Sequence, residues 1–152
     1  MNKIIIRRAE LGDTELVAPL FDLYRQFYEK PADPALAAHY IGDRLRNAES
    51  VIFLAETQSG MPVGFCQIYF GFCSVNAGRI CILNDLYVTA ATRGSGAGRA
   101  LLTAAEDFAK QSGALRISLQ TARTNSAAQA LYESSDWVRN EMFHSYVKPF
   151  PA

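Results

Sequence analysis

Between Ile80 and Val88 the chain is apolar enough to read as a buried strand, and from Ala100-Leu101-Leu102 onward it reads as a helix. Arg93-Gly94-Ser95-Gly96-Ala97-Gly98-Arg99 lies between them. A strand that feeds a glycine-rich turn and then a helix gathers several backbone N–H groups at one point. Those donors and the positive end of the helix dipole make an anion site, suited above all to phosphate. The segment therefore predicts an α/β fold that holds a phosphate-bearing ligand.

Two common phosphate loops fail on spacing. A dinucleotide fingerprint needs G-x-G-x-x-G, but the sixth position counted from Gly94 or Gly96 is Arg99 or Leu101. The next strand-like run, Leu115 to Thr121, carries no acid to hold a ribose hydroxyl. A P-loop needs Gly-Lys-Ser/Thr, and no lysine occurs between Lys30 and Lys110. What remains is Arg-x-x-Gly-x-Gly at 93–98.

Composition removes other classes. Fifteen basic and fifteen acidic side chains cancel, so no single-sign field draws nucleic acid or an anionic membrane, and neither is expected as a partner. No apolar run approaches the ~20 residues that span a bilayer. Met1-Asn2-Lys3-Ile4-Ile5-Ile6-Arg7-Arg8 has too short an apolar run for a signal peptide. Cys66, Cys73 and Cys81 sit in strand-like segments without metal-ligand spacing, so they read as reduced and buried, and no metal is expected. The expected location is cytoplasmic. At 152 residues the chain reads as a single domain.

Punctuation and periodicity give the elements. Lys3 to Arg7 reads as a strand. Asp13 caps a helix with Leu16, Leu20, Leu23 and Phe27 at helical spacing, and Asp33-Pro34 opens a second helix to about Asn47. Val51 to Thr57 and Pro62 to about Val75 form a hairpin through Gln58-Ser59-Gly60-Met61. Asn76-Ala77-Gly78 turns the chain into a strand over Arg79 to Thr89. A helix follows from Ser95 to about Ser112, stopped by Gly113, with Leu101, Leu102, Ala105, Phe108 and Ala109 on one face. Leu115 to Thr121 is a strand, a helix starts at Asn125 or Ser126 and ends near Ser135, and Trp137 to Val147 is a last strand. The order β-αα-βββ-α-β-α-β predicts a mixed α/β sheet with helices on its faces.

The loop at 93–98 resembles the pyrophosphate loop of the GNAT superfamily, the N-acetyltransferases that use acetyl-CoA. Thr124-Asn125-Ser126-Ala127-Ala128-Gln129-Ala130-Leu131-Tyr132 through Trp137 resembles that family's N-x-x-A-x-x-L/F-Y segment. Leu83-Asn84-Asp85-Leu86-Tyr87-Val88 resembles its acetyl-holding strand and looks closest to the branch of polyamine, D-amino-acid and histone acetylating enzymes. The resemblance implies the acyl-CoA N-acyltransferase fold, with a splayed central sheet flanked by helices.

It also implies roles. The main chain of Leu86, Tyr87 and Val88 would hold the acetyl and pantetheine groups, where a fixed N–H aimed at the developing oxyanion contributes a few kcal/mol. Gly94, Ser95, Gly96, Ala97 and Gly98 would cradle the pyrophosphate, with positive charge from Arg93 and Arg99. Asn125 and Ala128 fall in the segment that packs against the thiol end of the coenzyme. Tyr132, seven residues after Asn125 and two turns along the helix, would protonate the departing thiolate.

The base is less direct. Where polyamine-type relatives carry a glutamate, this chain has Asn84, which cannot take a proton. Asp85 is adjacent but points to the opposite face of a regular strand, unless a bulge re-aims it. Either Asp85 acts through water, or His144 or Glu29 serves instead. Tyr24 and Tyr28, with Phe21, form an aromatic strip beside the core stripe that would wall an amine pocket together with Asn84. Asp136 stands where the family has glycine, in a left-handed helix stop.

These features imply acetyl transfer to a primary amine, that of a small molecule, by direct attack in a ternary complex. The alternatives are an acyl-CoA-binding sensor without catalysis and a protein-lysine acetyltransferase. The aromatic C-terminal segment, with Trp137, Phe143, Tyr146 and Phe150, suits pairing or exchange in a homodimer; the alternative is an edge strand ended by Lys148 and Pro149.

Overall fold

Val63 to Ile68 is buried without a break, so both faces of that strand are covered. The computed structural model describes residues 3–152; Met1 and Asn2, the start of the stretch weighed above as a leader, lie outside the described residues. The chain divides into two units, Met1–Gln120 and Thr121–Ala152.

The first unit holds a five-stranded sheet in the order β1-β2-β3-β4-β5. Its strands are β1 (Ile4–Arg8), β2 (Ser50–Thr57), β3 (Pro62–Cys73), β4 (Gly78–Val88) and β5 (Ile117–Ser118). All pairs are antiparallel except β4 with β5, which is parallel. Helices α1 (Thr14–Phe27) and α2 (Pro34–Arg46) cover one face, where Val17, Leu20, Phe21, Ala37 and Ile41 pack with Ile52, Leu54 and Phe65. Helix α3 (Ala97–Gln111) covers the other, burying Leu101, Leu102, Ala105 and Ala109. Neighbouring residues of β3 divide between the layers. Phe65 meets Phe21 and Tyr24 of α1, while the Cys66 thiol faces the Leu101 carbonyl of α3 at 3.8 Å.

Burying each such side chain contributes about 1.5–3 kcal/mol. Arg7 donates two hydrogen bonds to each of the part-buried carboxylates of Asp13 and Glu56, with closest contacts of 2.8 and 2.9 Å, and this bidentate network ties the entry to α1 onto β1 and β2. Asp33 caps α2 as expected, accepting from the Leu36 N–H at 3.1 Å.

Four expectations change. The buried stripe of α1 is Val17, Leu20, Phe21 with Tyr24 beside it, while Leu23 and Phe27 face water. Both stripes fit helical spacing, and the sheet selects the one whose Ala18 permits close approach. Asp13 occupies the N-cap position, but its carboxylate is held by Arg7 and by the Glu10 N–H, so it makes no cap bond to α1. Cys66 and Cys81 are buried, but Cys73 is only partly so. The Asn76 main chain and then Arg116 hold the Cys73 thiol below its ordinary range, whereas burial pushes Cys66 up to about 12.

The last change concerns strands. Leu115–Thr121 contributes only the two residues of β5, because β4 carries an extra residue at Asn84 and its ladder with β5 stops at Ile82. A bulge bends its strand and raises the local twist. In the second unit, α4 (Ser126–Ser134) forms as expected, but Trp137–Val147 forms no strand among the described residues. Strand-forming side chains do not make a strand without a ladder partner.

Candidate active site

The bulge at Asn84 sets the geometry. Gln67 pairs with Asp85 and Ile68 with Leu83, leaving Asn84 without a cross-strand partner. The Asn84 amide thereby reaches its neighbour and donates to one Asp85 carboxylate oxygen at 2.9 Å. The Gln67 amide donates to the other at 2.5 Å, and the Gln67 oxygen accepts from the Ser50 hydroxyl at 2.7 Å. Asp85 is 4% exposed and Gln67 fully buried. Burial raises the Asp85 carboxyl above its ordinary range, and the donors from Gln67, Asn84 and Tyr24 offset this only in part.

Tyr24 closes this network toward α1. Its hydroxyl donates to the Asn84 carbonyl at 3.3 Å, and burial and the nearby Asp85 charge raise its pKa. Its ring meets those of Tyr28, Phe65 and Tyr87 edge-on, with centroids 5.1, 5.8 and 6.3 Å away. Phe21 lies within the core and stacks on Tyr40, so the aromatic strip expected beside the core stripe belongs partly to it. The Tyr40 hydroxyl meets that of Tyr69 at 2.6 Å. A buried carboxylate edged by aromatic faces suits a cation.

Past the bulge, β4 presents a free edge. Thr89 N–H donates to the Val63 carbonyl at 2.9 Å, and Val88 and Tyr87 sit opposite Gly64 and Phe65. Antiparallel alternation then turns the main chain of Tyr87 toward β3 and that of Leu86 and Val88 toward the other edge. No described strand pairs with that edge beyond Ile82. The Arg93 Nε donates to the Val88 carbonyl at 3.1 Å, and the guanidinium lies over the rings of Phe27 and Tyr87. Arg93 thus places its charge at the end of β4.

The loop then enters α3. Gly94 and Gly96 have φ of 81° and 90°, which L side chains rarely adopt, and a Cβ at either would face open space. Gly96, at the N-cap, has no side chain to accept from the first turn of α3, so the cap is open to an outside acceptor. The Ala97 N–H reaches only the Ser95 hydroxyl, at 3.3 Å. Ser95 and Arg99 are exposed, and Gly98 is partly so. Open space, donors and the helix dipole fit a phosphate group.

Gly64 matters because of what it lacks. A Cβ there would lie 2.8 Å from the Tyr87 carbonyl oxygen. Gly64→Ala is expected to cost about 1–3 kcal/mol of stability by overpacking, read by chemical denaturation, and to push the free edge at Leu86–Val88 out of line.

In the second unit, Asn125 caps α4 by accepting from the Ala128 N–H at 3.2 Å. The Gln129 amide donates to the carbonyls of Ala122 and Arg123, fixing the approach to the helix. The ring of Tyr132 lies 5.9 Å from that of Trp137, and its carbonyl accepts from the Trp137 N–H at 3.0 Å. Between them Asp136 adopts a φ of 67°, the left-handed stop expected there.

Within the first unit Asn84, Asp85, Tyr24 and Tyr28 gather at the start of the free edge, and the loop from Arg93 to Arg99 lies at its end. Glu29 ends α1 with a φ of 64°, and His144 lies in the exposed segment of the second unit. Sequence reasoning missed Gln67, Ser50 and Gly64. A lone amide inside the apolar run Val63 to Ile68 was the available signal for Gln67.

The sequence model of the acetyltransferase (GNAT) family matches residues 17–137. An uncharacterized N-acetyltransferase of Bacillus subtilis (strain 168), YhfO, is 44% identical over 97% of this chain and 98% of its own. The D-amino-acid N-acetyltransferase HPA3 of Saccharomyces cerevisiae is 27% identical over 86% of this chain and 83% of its own. The crystal structure of a probable acetyltransferase superposes with a TM-score of 0.91 at 36% identity, covering 97% of this chain and 99% of the other. No helix among the described residues is long and apolar enough to cross a membrane. The chain therefore belongs to the acetyltransferase (GNAT) family.

Proposed function

We propose that this enzyme, working as one domain, moves an acetyl group from acetyl-CoA to a primary amine of a small molecule. Transfer is direct, by attack of the amine on the thioester within a ternary complex. The observation that carries this reading is the buried Asp85 carboxylate, one residue before a strand edge whose N–H groups lack a β-sheet partner. The Leu86 and Val88 main chain orients the thioester and stabilises negative charge on its carbonyl oxygen. The residues from Gly94 to Arg99 hold the diphosphate by N–H donors and helix dipole.

An ammonium does not attack; its proton must leave first. Asp85 takes that proton through an intervening water, and Tyr24, Tyr28 and Asn84 border the amine. Its raised pKa makes it a stronger base than an ordinary aspartate. As the amine nitrogen bonds to the carbonyl carbon, the C–S bond breaks and the thiolate takes a proton from Tyr132. That last role follows the family resemblance of the Asn125–Tyr132 segment.

A panel of primary amines, read by free thiol release from acetyl-CoA, tests this reading. Polyamines, D-amino acids and aminoglycosides should be represented. Acetylated product from at least one small amine, well above the rate of hydrolysis, is expected. Acetylation of lysine peptides alone would redirect the substrate assignment to protein.

A further inference from the structure

Gln67 is a lone amide inside the apolar run from Val63 to Ile68, and it is fully buried. Strand alternation sets it on the face of β3 that Phe65 turns to α1. Its direct neighbour on β2 is Ile52, also fully buried, and its neighbour on β4 is Asp85. An apolar side chain at this place would join the core at no polar cost. An amide is tolerated there only with its hydrogen bonds made, and those bonds run in one direction.

Ser50 lies diagonal to Gln67 across the ladder of β2 and β3, opposite Tyr69. Its hydroxyl has a single hydrogen, which goes to the Gln67 oxygen at 2.7 Å. With the oxygen committed to Ser50, the amide nitrogen faces Asp85 and donates to one carboxylate oxygen. The Asn84 amide donates to the other. A flipped Gln67 would set oxygen against oxygen, which a charged Asp85 repels. Ser50 therefore decides which end of Gln67 the carboxylate meets. Amide hydrogens bond a charged acceptor more strongly than a neutral one. A proton arriving at Asp85 must settle on a lone pair that neither amide uses. The remaining polar neighbour is the Tyr24 hydroxyl of α1, on the side proposed for the amine.

We infer that Gln67 and Ser50 are positioning residues for acetyl transfer: Ser50 fixes the direction of the Gln67 amide, and that amide keeps Asp85 ionised and open toward α1. The inference rests on the reading of Asp85 as the base. Burial favours the neutral carboxyl, and the Gln67 donor is the foremost group opposing it. Other titratable groups around Asp85 do not share this task. Burial raises the Tyr24 phenol of α1 and the Tyr69 phenol and Cys66 thiol of β3, so all three stay neutral while a carboxyl titrates. Tyr28 meets the Tyr24 ring, and from α2 Tyr40 meets the Tyr69 hydroxyl with Arg44 over its own ring.

Carbon-13 NMR of protein labelled at its aspartate carboxyls follows the Asp85 titration without any amine, and Asp85→Asn identifies the resonance. Gln67→Met keeps the length and loses the N–H, and should move the midpoint up by about 1–2 pH units, as loss of a hydrogen bond to a charged group does. Ser50→Ala should move it the same way by less, and Ser50→Thr, which keeps the hydroxyl, should return it to the parent value. The acid limb of kcat/KM, for the fastest amine of the panel above, should move with the midpoint in each variant. If Gln67→Met does not fold, the two Ser50 variants carry the test. Lowered thermal stability with the midpoint unmoved in Gln67→Met or Ser50→Ala would reduce these residues to packing and overturn the inference, while Asp85 as base still stood. A Ser50→Thr midpoint as high as that of Ser50→Ala would count the same way. Parental kcat/KM in Asp85→Asn would instead remove the base itself, and this inference with it, wherever the midpoints fall.

Discussion

Asp85→Asn should lower kcat/KM for the amine by about 10²–10⁴-fold, the usual contribution of a general base, while acetyl-CoA still binds. Asparagine keeps the shape and can still accept a hydrogen bond in the network of Gln67 and Asn84, but it cannot take a proton. The parent enzyme should gain activity as pH rises through the elevated Asp85 pKa, and that acid limb should vanish in the variant. Stability should move the other way. The fold favours the protonated carboxyl because burial disfavours its charge, so this group's contribution is full below the unfolded-state pKa. It is lost as pH rises toward the folded one. The variant should therefore gain on the parent in that window, measured by thermal unfolding across pH. A variant with parental kcat/KM would remove Asp85 as base and turn attention to Glu29 or His144.

Tyr132→Phe is the second large effect, expected at about 10²–10⁴-fold in kcat with coenzyme affinity unchanged. Phenylalanine keeps the ring that meets Trp137, so α4 and its Asp136 stop should stay intact. Only the proton donor is lost. Because the role is to protonate the leaving thiolate, an acyl-CoA analogue with a more acidic thiol should show a smaller deficit. The same variant separates catalysis from a sensor that only binds acyl-CoA. An unchanged rate would reject the acid role.

Much of this architecture was legible from spacing. The sheet meander, α2 with its Asp33 cap, α3 after the glycine-rich loop (begun at Ala97 rather than the expected Ser95) and α4 begun at Ser126, one of its two expected starts, all follow local chemistry that needs no tertiary information. Where expectation and structure part, a partner outside the local window decides. The stripe of α1 was ambiguous because Leu16, Leu20, Leu23, Phe27 and Val17, Leu20, Phe21, Tyr24 share one spacing, and only the sheet chooses. Asp13 looked like a cap, yet Arg7 claims its carboxylate across six residues of sequence.

The site followed the same division. Asn84 and Asp85 were visible as adjacent polar residues in an apolar strand, but strand alternation set them on opposite faces. The bulge that lets the Asn84 amide reach Asp85 depends on a register shift against Gln67 and Ile68, sixteen and more residues earlier. Trp137–Val147 has the composition of a strand, yet strand formation needs a ladder partner as well as composition, and among the described residues this segment forms no strand.

Calorimetric titration of acetyl-CoA into the full-length protein reads the binding surface from Leu86 to Arg99 without any knowledge of the amine. A saturable one-to-one heat is expected, weakened about tenfold or more in Gly96→Val, where a β-branched residue cannot hold the positive φ of the α3 entry. No heat from the parent protein, or equal affinity in parent and variant, would contradict the assignment of that edge and loop to the coenzyme.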